Sequence, residues 1–166
     1  MNARVGQHGT LARLWAPKGS RPRAPKDCRY ARACIFGAVR PARATGAAPV
    51  MPHADTEAMS AHLAEISRNV SPGAHAILVI DGAGWHTAGD RVIPGNITLM
   101  TLPPCGPELN PVENIRQFLR QDRLANRVFE NCDAVVAACC GAWNALIALS
   151  EQIAPITTRE WAKVNA

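Results

Sequence analysis

The chain has 166 residues, 48% of them apolar and 19% charged, with a net charge of +5. That is enough chain to bury a core as one domain, too much apolar content for a disordered protein, and no run near the ~20 apolar residues that span a membrane. The charge is uneven. Residues 1–43 hold ten Lys or Arg and one acid, Asp27, for a sum of +9, and residues 44–166 sum to −4. A basic third of this kind suits a polyanion such as a nucleic-acid backbone; the alternative is a solvated surface or arm. The N-terminus lacks a hydrophobic signal region, so a cytoplasmic chain is expected. The six cysteines form no C-x-x-C pair and lie at zinc-finger spacing from no histidine, so buried free thiols are expected.

Ala3 to Gly9 reads as a strand remnant and turn, and Thr10 to Trp15 as the next strand. Pro17-Lys18-Gly19-Ser20 breaks it and leads into Arg21-Pro22-Arg23-Ala24-Pro25-Lys26, too proline-rich for a helix. Ala33 to Val39 reads as a third strand and Gly46 to Met51 as a fourth, linked by Arg40-Pro41-Ala42-Arg43. Asp55 or Thr56 caps a helix to about Val70, with Met59, Leu63, Ile66 and Val70 on one stripe. Ile77 to Ile80 has the β-branched character of a buried strand that ends at Asp81. Ile97 to Leu102 is a second such strand, stopped by Pro103-Pro104.

Asn110-Pro111 opens a helix to about Leu124, with Val112, Ile115 and Leu119 as its apolar stripe. Glu113, Gln117 and Arg120 fall on a neighbouring face. Asn131 to Leu149 is another helix, with Val135 or Val136, Cys139, Trp143 and Leu146 facing the core. Ile153 to Trp161 reads as a short semi-apolar tail draped over the body. This order of elements predicts an α/β fold, a mixed sheet flanked by helices, over residues 1–166.

Asp81 thus sits at a strand's C-terminal end and Glu113, 32 positions on, at a helix start. Such a pair holds a divalent metal if the two ends meet in space. The other reading of Glu113 is local: Asn110-x-x-Glu113 is close to a capping box.

Three blocks carry a resemblance: Trp15-Ala16-Pro17-x-Gly19-x-Arg21-Pro22, Asp81-Gly82-Ala83-x-x-His86, and Pro107-Glu108-Leu109-Asn110-Pro111-Val112-Glu113-Asn114. With them the chain resembles, over about Arg4 to Trp161, the DDE-type transposases of bacterial insertion sequences related to mariner elements. The resemblance implies a ribonuclease-H-like sheet on which three acids bind two Mg²⁺ or Mn²⁺ ions for DNA cleavage and strand transfer. Asp81 matches the second acid and Glu113 the third. The first falls in a D-E-A-R-like segment where this chain has Met1-Asn2-Ala3-Arg4, so the first central strand is expected to be largely missing. Cys105-Gly106 and Arg116 also depart from the family's usual residues.

The resemblance further implies DNA as partner, both element ends and target, with Lys18, Arg21, Arg23, Lys26, His86 and Arg120 as candidate DNA contacts. For the basic loop a hairpin touching phosphates stands beside a plain surface connection, and for His86 a backbone-bonded turn histidine is the alternative. A helix-turn-helix region is not expected ahead of the match. The expected function is therefore a DDE transposase/endonuclease domain inactive on its own. The alternative is a catalytically dead, basic DNA-binding remnant. An upstream open-reading-frame product that supplies the missing parts, and a homodimer, are the expected protein partners.

Overall fold

The computed structural model describes residues 2–7, 15–23, 29–82, 89–103, 110 and 112–158. They form a mixed α/β structure. Strand β1 (Asn2–Gly6) pairs antiparallel with β2 (Arg32–Phe36) along all five residues, and β2 pairs on its other side with β5 (Val50–Met51). Between β2 and β5 stands a hairpin of β3 (Ala38–Arg40) and β4 (Thr45–Ala47), tipped by a 3₁₀ turn at Pro41–Arg43. Helix α1 (Thr56–Arg68) leads to a parallel pair, β6 (Ala76–Ile80) and β7 (Ile97–Thr101). Helix α2 (Val112–Phe118) runs into a π turn at Leu119–Arg123, and α3 (Cys132–Ala148) and α4 (Ser150–Thr157) follow.

Where a strand remnant and turn are expected over Ala3 to Gly9, a five-residue strand forms over Asn2–Gly6, because Ala3 and Val5 alternate inward and are buried, which gives it an apolar face. It is not central. Among the described residues it lies at the edge of a three-stranded sheet with β2 in the middle, and the three sheets are hydrogen-bonded separately. Residues 10–14 of the expected second strand lie outside the described residues. Trp15 to Arg23 contains no strand: Ser20 bonds back to Pro17 O through both its amide and its Oγ, closing a turn in which Gly19 takes φ +85°.

Helix boundaries follow their caps. The side chain of Asp55 accepts from the Ala58 amide and that of Asn131 from the Ala134 amide, each satisfying a first-turn donor. Residues 153–157 of the segment expected to drape as a tail belong to the helix α4, which buries Ile153 and Thr157, with the Thr157 hydroxyl donating to Ile153 O, and residues 159–161 lie outside the described residues.

Two cores flank β2. Ala33 and Ile35 point into one, with β1, α2, α3 and α4; Cys34 and Phe36 point into the other, with α1, β6 and β7. The β6–β7 pair departs from expectation. Ile80 is buried, but Ile77 is 66% exposed and Met100 48% exposed. Its inner face packs on the α1 side; among the described residues the outer face stays open, so an apolar run does not mean burial on both faces. Of the described cysteines, Cys34 and Cys139 are buried as expected, while Cys132 and Cys140 are exposed. No described helix is long and apolar enough to cross a membrane.

Candidate active site and DNA-facing surface

Asp81 follows β6 directly and is half-buried. The parallel ladder continues past the strand ends, because the Leu102 amide donates to Ile80 O at 2.8 Å. That bond fixes the backbone on which Asp81 sits, at the C-terminal edge of a parallel pair, where α/β folds commonly place ligand-binding groups.

Glu113 lies in the first turn of α2. Asn110, itself buried, supplies the cap: its Oδ1 accepts from the Val112 amide at 3.2 Å and its carbonyl from the Glu113 amide at 3.1 Å. The Glu113 carboxylate forms an ion pair with Arg116, Oε2 to Nη2 at 2.7 Å. Asn110 thus does the capping expected of it, and the carboxylate is turned along the helix toward the next turn. Ile115 and Leu119 anchor the opposite face in the first core, and Asn114 Nδ2 donates to Ile156 O, tying α2 to α4. Arg116 keeps its guanidinium partly in solvent, the condition under which a cation is tolerated beside an apolar stripe. After Phe118 the helix widens into the π turn, closed by the Leu124 amide on Leu119 O at 2.9 Å. Such bulges re-aim side chains and recur at functional sites; Arg120 sits in this one, half-buried.

Among the expected DNA contacts, Lys18, Arg21 and Arg23 are all exposed along one loop. Lys26 and His86 lie outside the described residues, as do residues 83–88 of the Asp81 block. Among the described residues no group of three or more His, Cys, Asp or Glu is arranged to hold a metal ion. The donor type of Asp81 and Glu113 suits a hard divalent cation, but the described geometry does not make a two-metal site, and Glu113 is engaged by Arg116.

Residues 2–136, from β1 into α3, match the family described as DDE superfamily endonuclease. The chain belongs to this family. Endonucleases of this family typically use divalent metals, and their substrate is DNA. The match in this DDE superfamily chain spans both Asp81 and Glu113. It is also 55% identical over 130 residues to a protein of Sinorhizobium fredii (strain NBRC 101917 / NGR234) called "Uncharacterized protein y4pE/y4sA", an alignment that covers 78% of this chain and 96% of that protein. No solved structure matches.

Sequence reading missed two polar features of this DDE superfamily chain. Arg4 donates to the buried Cys34 thiol; burial pushes that thiol's pKa up, and Arg4 and Arg32 partly oppose the shift. Gln7, buried at the end of β1, donates to Phe129 O at 2.8 Å and accepts from the Ala31 amide at 3.1 Å. Arg29 reaches the same loop, with Nη2 on Phe129 O and Nη1 on Glu130 O. Phe129 and Glu130 lie 100 or more positions from Gln7 and Arg29 in the chain, and no local pattern announces these contacts.

Proposed function

We propose that this chain is the catalytic domain of a transposase-type DNA endonuclease on a ribonuclease-H-like fold, with Asp81 and Glu113 as the carboxylates directed to Mg²⁺ or Mn²⁺. Lys18, Arg21, Arg23 and Arg120 are its DNA contacts, with Lys26 and His86 proposed alongside them. The carrying observation is that one family match spans two carboxylates held at the end of a parallel strand and in the first turn of a capped helix. The work of these residues is to bind and orient a phosphodiester. Arginines at helix ends and on loops neutralise phosphate charge, and each such contact adds salt dependence to binding.

The test is nicking of supercoiled plasmid, with Mn²⁺ or Mg²⁺, by the chain joined to an upstream segment that supplies the first acid. Asp81→Asn and Glu113→Gln are each expected to lower the nicking rate by at least about a hundredfold, the loss typical for removal of a principal charged group at a reacting centre. Nicking retained in either variant would sink the assignment.

A second reading, a DNA-binding domain without cleavage, is favoured by the Glu113–Arg116 ion pair, which occupies the carboxylate. It expects duplex binding that weakens with salt and is indifferent to Mg²⁺, together with an absence of nicking.

A further inference from the structure

The β3–β4 hairpin presents two cations that the contacts above do not include. Arg40 ends β3 and Arg43 closes the 3₁₀ turn at its tip. Both are exposed, and among the described residues neither has a hydrogen-bond or ion-pair partner. From Arg29 to Ala54 the sequence has no acid, so nothing nearby in the chain neutralises them.

The tip is preformed. Pro41 opens the turn with its φ set by its ring, and Ala44 takes φ 50° to let its amide donate to Pro41 O at 3.2 Å. A three-residue spacing is one turn of 3₁₀ helix, so the two arginines stand one turn apart. The stem is held as well. Val39, Ala44 and Ala48 pack on the first core. Gly46 is so tightly enclosed that a Cβ there would lie 2.6 Å from Ala38 O and 3.0 Å from the Trp143 ring. Finally, the tip packs against α4, and α4 packs against α2. The hairpin tip and the helix of Glu113 thus flank one short helix.

We propose that Arg40 and Arg43 form a contact to the backbone of duplex DNA, a grip on phosphates separate from the Lys18–Arg23 loop. The ligand chemistry follows from the tip. Two guanidiniums on a rigid turn suit phosphate oxygens. The residues Arg40-Pro41-Ala42-Arg43 offer no aromatic ring to stack on a base and no amide side chain to read one, so the contact is to the backbone and independent of sequence. The proposal rests on the DNA-directed function above and adds to it a second anchoring point.

The experiment measures binding of the full chain to a short labelled duplex of arbitrary sequence by fluorescence anisotropy, across a KCl series. The double variant Arg40→Ala/Arg43→Ala is expected to bind more weakly, with the slope of log K against log salt reduced by about 1.8, that is ~0.9 for each phosphate no longer neutralised. Arg40→Lys/Arg43→Lys is expected to retain most of the slope. Arg68→Ala, which removes an exposed cation of α1 paired with Glu65, is expected to leave it unchanged. An unchanged slope in the Arg40/Arg43 alanine variant overturns the hairpin contact, as does an equal drop in Arg68→Ala, which would mean that only total charge matters. If the unaltered chain fails to bind the duplex, the DNA-directed function falls with it. If the unaltered chain binds and nicks while the hairpin variant matches it, the hairpin contact alone is overturned.

Discussion

At the scale of single residues, burial is the dominant influence on Cys139. It has no exposed surface, and burial, with Cys140 and Cys34 nearby, pushes its pKa up from 9.0 to about 12. The folded state therefore holds this proton to higher pH than the unfolded chain does. The associated stability is complete below pH 9 and is lost as pH rises from about 9 to about 12. Cys139→Ala is expected to cost roughly 1 kcal/mol at neutral pH through poorer packing, while flattening the decline in this alkaline window. Urea midpoints for both proteins at pH 8 and pH 10 check it; parallel declines would show that the thiol is not the titrating group. Glu113 shows how residue identity underdetermines role. The same carboxylate can cap a helix, pair along it or bind a metal, and here it pairs with Arg116 at 2.7 Å. A partly exposed pair within one helix contributes on the order of 0.3–0.5 kcal/mol, so the ion pair is weak enough to yield to a competing cation.

At the scale of elements, the end of β1 is secured by a polar clamp as well as by its ladder. Gln7 joins the start of the β2 side, through the Ala31 amide, to the loop before α3, through Phe129 O. Gln7→Ala leaves the Ala31 amide without that acceptor and is expected to destabilise the chain by about 1–3 kcal/mol, the cost of stranding a buried polar group. Chemical denaturation measures it, and a loss below ~0.5 kcal/mol would mean that water replaces the amide at no cost. The Arg29 contacts to Phe129 O and Glu130 O should soften the effect without cancelling it, since they leave the Ala31 amide unserved. The elements themselves are largely legible in sequence. The helix stripe through Met59 and Leu63, the cap at Asp55 and the helix from Asn131 are read within one or two turns, and they appear where expected. The break at Gly37, which divides the expected Ala33–Val39 strand into β2 and β3, is not legible there, because an isolated glycine in an apolar run does not say which sheet each side joins.

At the scale of the whole molecule, β2 is the wall shared by two cores, and that arrangement ranks the parts by stability. β1 and β2 are covered by the α2, α3 and α4 side, whereas β6 and β7 leave Ile77 and Met100 in solvent. Native-state hydrogen exchange is expected to show the amides of β2 as the slowest and those of β6–β7 opening at lower free energy. Equal protection in both would contradict that ranking. The local rules of the chain determined the helices α1, α2 and α3, the cap at Asp55, the turn at Lys18-Gly19 and the motif blocks that point to a DDE endonuclease, because periodicity, capping and motif spacing act over a few residues. Only the tertiary structure decided that β1 forms and sits at an edge, that one face of the β6 run is open to water, and that Gln7 grips a loop far along the chain. Burial and pairing of those groups depend on which surfaces meet, and chain sequence specifies that meeting only through the fold as a whole.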